Sequence, residues 1–308
     1  MSFIESSDSF EAYDGLRLFS RSWLAPEYDP NRVLVVQHGV GEHGGRYGHL
    51  IDALRDTGIS IFAIDSRGHG RSDGTRGDAR SLDQLVDDLE AFILVLRERH
   101  GIDRPLLLGH SLGGLIVTRF ALRYSNQWEL KALLISGPAF KVPVNMVQNV
   151  KKVSAQVLRH VSPGLVLATG LPLQYISHDQ DTLESYKTDP LIHDKLSIRL
   201  ALSVLEAGEE VLRDASLLQI PLWIGHGQED KITDPSGSVE FFRQARSEDK
   251  TLRLYPGLLH EIFNETLSER DQVLTDVREW IQDRFGPAPT PAPTGDPVEA
   301  EVGAPEPV

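Results

Sequence analysis

The chain of 308 residues is long enough for one large α/β domain or two smaller ones. A hydrophobic content of 40% and a charged content of 25% place it among soluble globular proteins. There is no cysteine, which excludes disulfides, thiolate metal sites and cysteine nucleophiles, and a net charge of −14 excludes a nucleic-acid partner, which needs a basic surface.

The N-terminal stretch MSFIESSDSFEAYDG has no basic n-region followed by an apolar run, so no signal peptide is expected. Apolar runs then predict strands over 16–23, 33–37 and 60–65, with a helix over 47–56 between the last two. A helix over 82–100 follows, where apolar residues at 85, 86, 89, 92, 93 and 96 keep the 3.6-residue period. Next come a strand over 105–109, a helix over 112–124 and a strand over 132–136. Beyond residue 208 the pattern resumes with strands over 221–226 and 251–255 and helices over 237–246 and 270–285. Such alternation predicts an α/β fold with a mostly parallel central sheet and helices on both faces. Sites in such sheets lie at the carboxyl ends of the strands.

The alternation breaks over 138–208, where no strand-like run falls and a helical lid is expected. The expected organisation is therefore core over 1–137, lid over 138–208, core again over 209–285, and a disordered Pro/Ala-rich acidic tail over 286–308. No Asp or Glu occurs over 130–178, whereas Lys131, Lys141, Lys151, Lys152 and Arg159 do. Met146, Val147, Val150, Val153, Val157, Leu158 and Val161 fall on one helical face. This stripe has two readings: a lipid-facing lid surface, or a face packed on the core. No run approaches the ~18 apolar residues that span a bilayer. A cytoplasmic protein is expected, with peripheral membrane or micelle contact through the lid.

The chemistry is concentrated in LLLGHSLGG, residues 106–114. GHSLG fits G-x-S-x-G between a strand and a helix, the context of a nucleophile elbow in an α/β-hydrolase fold. A serine hydroxyl needs a base to take its proton and an acid to orient that base. The fold predicts the chain order Ser, acid, His. His260 is the one histidine after position 226 and serves as base; Asp230, in the loop QEDKITD, is the acid. Glu229 and Asp234 are the alternatives, with a solvated loop face or a helix cap as their structural roles. His226 precedes the acid and is read as structural or as part of the site rim. The oxyanion hole takes one backbone N–H from Leu112 and one from Val40, in the glycine-bearing loop HGVGEHGGRY. Glu42 and Arg46, four apart in that loop, either brace it or contact the substrate. The turn SRGHG after Asp65 is read as a support for the same loop. No residue cluster has metal-site spacing and no phosphate-cradling loop occurs, so no cofactor is expected.

Taken together, HGVGEHGGRY, DSRGHGRSDG, GHSLGG, GQEDKITD, LLHEIFNE and the lid segment SYKTDPLIHDKLS resemble the monoacylglycerol lipase family over about residues 10–285. The resemblance implies cleavage of monoacylglycerols to glycerol and free fatty acid through an acyl-enzyme on Ser111, with Asp230 and His260 completing the triad. It implies a small-molecule lipid ester as partner and an apolar acyl tunnel walled by Val, Leu and Ile side chains between 142 and 205. A lysophospholipase or general carboxylesterase would share the triad. A cofactor-free perhydrolase is disfavoured by the large apolar insertion.

Overall fold

The computed structural model describes residues 3–143, 162 and 164–286. The apolar runs VLVVQ, SIFAID, LLLGH, ALLIS and LWIGHG form strands β3 (Val33–Gln37), β4 (Ser60–Asp65), β5 (Leu106–His110), β6 (Ala132–Ser136) and β9 (Leu222–Gly227), each buried along its whole length. Together with β10 (Lys250–Tyr255) they make six parallel strands in the order β4-β3-β5-β6-β9-β10. Strand β2 (Arg17–Leu24) pairs antiparallel with β4, and β1 (Ile4–Glu11) completes an eight-stranded sheet by pairing antiparallel with β2.

Continuous apolar runs are what a strand needs when both its faces are covered. Alternate residues feed two cores. Val33, Val35, Leu107, Leu133, Ile135 and Ile224 face one, where α2 (Leu82–His100), α3 (Leu112–Arg123) and α5 (Ile198–Asp214) pack. Leu34, Val36, Leu106, Leu108, Leu134 and Trp223 face the other, against α1 (Gly48–Ala53) and α7 (Leu267–Phe285). Helices α4 (Gln180–Thr188) and α6 (Pro235–Gln244) complete the set among the described residues.

The structure corrects two expectations. Strand β1 was not expected, because IESSDSFE is polar and mostly exposed and carries no apolar alternation. The segment 138–208 is not free of strands: β7 (Val166–Ala168) pairs antiparallel with β8 (Lys195–Ser197). At three residues each they are too short to show a period. The predicted helix over 47–56 shortens to α1. The apolar stripe from Met146 to Val161 and the tail over 287–308 lie outside the described residues.

From β3 the chain crosses to β4 on one side, and then to β5 on the other. Loops leaving the carboxyl ends of β3 and β5 therefore diverge and open a crevice between them, the switch point at which open α/β sheets hold their sites. Two glycines permit the turn between β5 and α3. A Cβ on Gly109 would stand 2.3 Å from the Gly113 carbonyl oxygen, and one on Gly113 would stand 2.1 Å from that of Gln37. Gly113→Ala adds helix propensity of about 1 kcal/mol. The backbone overlap outweighs it, so the variant is expected to lose about 3 kcal/mol. Thermal unfolding checks this, and a raised melting temperature would contradict it.

Candidate active site

Ser111 stands at the crossing of β5 and α3 with φ 55° and ψ −118°. It is the one non-glycine with positive φ among the described residues. Such strain persists only where surroundings impose it. Here the Ser111 N–H donates to the Ser136 carbonyl (2.9 Å) and its carbonyl accepts from Ala139 N (3.0 Å). Leu112 is the first residue of α3, so its N–H has no acceptor within the helix and remains available.

Val40 lies across the crevice and lines the same cavity as Ser111 and Leu112. The loop that carries it is pinned from several sides. Gly39 N donates to Glu42 Oε1 at 2.6 Å. His38 holds the Gly39 carbonyl through Nδ1 (2.7 Å) and accepts from Ser66 N at Nε2 (2.9 Å). Asp65 accepts from Gly44 N at 2.9 Å and from Arg21 at 2.6 Å. Asp65 is thus committed to holding this loop, in keeping with the reading of SRGHG as a support. A Cβ on Gly39 would stand 3.1 Å from that of Ser111 and 3.0 Å from Glu42 Oε1, a tight contact that the glycine avoids where the loop approaches the serine.

His260 and Asp230 meet at the ends of β10 and β9. His260 Nδ1 lies 2.6 Å from Asp230 Oδ2. The other carboxylate oxygen accepts from Ile232 N (2.7 Å) and Thr233 N (3.0 Å). An ionised carboxylate only accepts, so Nδ1 carries the proton and Nε2 of a neutral His260 is left as a base. Burial opposes charge on Asp230, but His260 and His226 outweigh it and hold the carboxyl far below its usual range. Burial likewise opposes a charged His260, yet the Asp230 carboxylate more than offsets it and raises the imidazole above its ordinary value. His110, with its ring centre 4.7 Å from that of His260, is pushed down to about 4 by burial and by His260, and stays neutral. A base must be unprotonated, so with His260 as the base activity is expected to fall as pH drops through its raised value. The midpoint of the acid limb of kcat/KM is expected above the ordinary 6.5. A pH–rate profile checks this, and a midpoint below that value would contradict it.

The two alternative acids are occupied elsewhere. Glu229 is an exposed partner of Lys231 at 3.2 Å. Asp234 caps α6 by accepting from Ser236 N at 2.8 Å.

Glu42 and Arg46 form the core of a buried network. Arg46 bonds Glu42 at 3.0 Å and grips both oxygens of Glu261 at 2.6 and 2.9 Å, and its guanidinium lies 4.8 Å from the ring centre of Tyr186. Glu42 also accepts from Tyr47 Oη at 3.1 Å. Burial resists its ionisation, but Arg46 first among its neighbours overcomes that and lowers the carboxyl. Of the two residues, Glu42 borders the small chamber beside Ser111 and His260, whereas Arg46 is committed to the carboxylates around it. Arg46→Ala would leave two buried carboxylates without their cation, at a cost of about 3–5 kcal/mol. Denaturant unfolding checks this, and unchanged stability would contradict it.

Glu261, Glu265 and Thr233 were not singled out from the sequence. Glu265 is fully buried and accepts from Leu259 N and His178 N, both at 2.8 Å, which ties the His260 loop to the segment over 175–178. Thr233 Oγ1 donates to Asp230 Oδ2 at 2.8 Å. Glu261 and Glu265 stand inside the motif LLHEIFNE, but Arg46 and His178, which they bond, are too far along the chain for spacing to reveal them.

Ser111 sits where two cavities meet. The larger, about 180 Å³, is lined by Val142, Leu167, Leu171, Ile198, Val204 and Leu205, among others. These are the apolar residues expected to wall an acyl tunnel. The smaller is bordered by Glu42, His110, Tyr186, His260 and Glu261.

An eight-stranded, mostly parallel sheet with a strained serine after β5 and a histidine–carboxylate pair after β10 and β9 defines an α/β-hydrolase. Comparison with known proteins agrees. The serine aminopeptidase, S33, family matches residues 28–267. A monoacylglycerol lipase of Mycolicibacterium smegmatis is 35% identical over 277 residues, covering 90% of this chain and 96% of that protein. The crystal structure of Paleococcus ferrophilus monoacylglycerol lipase matches with a TM-score of 0.75 and 31% identity, over 92% of this chain and all of that one. A soluble variant of monoglyceride lipase from Saccharomyces cerevisiae, in complex with a substrate analog, matches with a TM-score of 0.78 and 27% identity, over 92% and 96%. The chain belongs to the serine aminopeptidase, S33, family and, within the α/β-hydrolases, to the monoacylglycerol lipase family. It is a carboxylic ester hydrolase.

Proposed function

We propose that the protein hydrolyses monoacylglycerols to glycerol and free fatty acid, with Ser111 as nucleophile, His260 as general base and acid, and Asp230 as the orienting carboxylate. The carrying observation is the position of Ser111 where an apolar cavity meets a small chamber bordered by Glu42, His110, Tyr186, His260 and Glu261. A single acyl chain with a compact polar alcohol divides its surface in the same way. Ser111 Oγ adds to the ester carbonyl as its proton passes to His260 Nε2. The oxyanion takes the N–H groups of Val40 and Leu112. The imidazolium, held by Asp230, then gives its proton to the leaving glycerol oxygen. Water, deprotonated by the same nitrogen, cleaves the acyl-enzyme and restores Ser111. Every buried methylene of the chain contributes about 0.8 kcal/mol, so the apolar cavity rewards a long acyl group.

Segment 138–208 serves as the lid, since Leu167, Leu171 and α5 form much of the acyl wall. Leu165, Leu167 and Tyr175 leave more than a third of their surface exposed near it, which supports peripheral contact with a lipid surface. Among the described residues no helix is long and apolar enough to cross a membrane.

Fatty-acid release from medium- and long-chain monoacylglycerols, with triacylglycerol and lysophosphatidylcholine in parallel, tests the reading. Release mainly from monoacylglycerol is expected. Release mainly from the phospholipid would keep the nucleophile and overturn the substrate.

A further inference from the structure

Asp230 is held by two histidines. His226 is fully buried at the end of β9, and its Nε2 lies 3.1 Å from Asp230 Oδ2, the oxygen that His260 also uses. Its Nδ1 lies 2.7 Å from Ser238 Oγ on α6, and that serine is fully buried too. The ionised carboxylate only accepts, so His226 presents Nε2–H to it, and a neutral His226 accepts the Ser238 hydroxyl proton at Nδ1. The result is a second Ser–His pair that meets the same carboxylate oxygen. Helix and loop geometry make it rigid: a Cβ on Gly227, the residue after His226, would stand 2.1 Å from the Leu259 carbonyl, so the loop bearing His260 rests directly on the end of β9.

We propose that His226, oriented by Ser238, is a positioning residue of the hydrolysis: it fixes Asp230 Oδ2 in line with His260 Nδ1 and draws off part of the carboxylate's charge. This rests on the assignment of Ser111, His260 and Asp230 above. Thr233 Oγ1–H supplies a third donor to the same oxygen at 2.8 Å. Each donor stabilises the carboxylate and weakens its hold on the His260 proton. Around His260 the other facing groups are Thr233, Glu261, Glu42 and His110, and of these only Thr233 touches Oδ2. Around His226 the facing groups are Asp230, Thr233 and Ser238. Apart from His260, the donors that set the charge at Oδ2 are therefore His226 and Thr233.

The test uses the full chain and a soluble p-nitrophenyl ester, with active-site titration by a phosphonate to count folded sites. Per titrated site, His226→Leu is expected to move the acid limb of kcat/KM upward by about 0.5–1 unit. Its kcat should fall about 10- to 100-fold with little change in KM. His226→Gln, whose side-chain amide reaches as far as Nε2, should restore the limb. Ser238→Ala should move it the same way by less, and decides the matter if His226→Leu does not fold. An acid limb at its wild-type position in the folded variants would overturn the proposal and leave His226 a packing residue. Ser111→Ala runs alongside: residual hydrolysis there would overturn the nucleophile assignment itself. An inactive Ser111→Ala with unmoved His226 and Ser238 variants would overturn only the role of His226.

Discussion

Ser111→Ala is expected to lower ester turnover about 10⁶-fold, the scale on which a serine nucleophile of a triad contributes. The oxyanion donors are backbone N–H groups and survive the change, so a residual rate above that in water should persist. The substitution removes one oxygen. It keeps a Cβ at the strained position, where the backbone is held by Ser136 and Ala139 rather than by the hydroxyl. Initial rates of fatty-acid release should therefore collapse at an unchanged melting temperature. A variant that keeps a tenth of the activity would show that another group attacks the ester.

Asp230→Asn follows, with an expected loss of about 10⁴ in kcat. Its cause lies in how the carboxylate is used. One oxygen accepts from the N–H groups of Ile232 and Thr233, and the other faces His260, His226 and Thr233 Oγ1. An asparagine must keep its carbonyl oxygen toward the two backbone donors. Its amide NH₂ then points at His260 Nδ1 and forces that nitrogen to become an acceptor. The proton moves to Nε2, which no longer takes the serine proton. The loss should appear in kcat more than in KM, since the acyl cavity is untouched. Steady-state kinetics on a medium-chain monoacylglycerol check it, and a loss below tenfold would contradict the assignment of Asp230.

The parts of the fold that were legible in the sequence are those where burial is extreme. VLVVQ, LLLGH and ALLIS are apolar on both faces because helices cover both sides of the sheet, and such runs carry their own signal. Strand β1 was illegible because it lies at an edge, with six of its eight residues exposed. Strands β7 and β8 are three residues each and take shape through long-range partners, their mutual pairing and the Ser197 N–H donated to Gly77. At the site, Ser111 could be read from the glycines at 109 and 113, each of which faces backbone a Cβ would strike. Asp230 and His260 followed from chain order, and the structure brings them to 2.6 Å. Contacts spanning large sequence separations were not readable. Arg46 and Glu261 are 215 positions apart, and nothing near either one announces the other. For His226, the argument from chain order excluded a role as the base. It gave no sign that the histidine stands against Asp230.

The most direct test of the account is covalent labelling with a fluorophosphonate, read by intact mass and peptide mapping. One adduct per chain is expected, on Ser111, formed faster above the His260 midpoint than below it, slowed in Asp230→Asn and absent in Ser111→Ala. An adduct on another residue, or labelling that Ser111→Ala leaves unchanged, would contradict it.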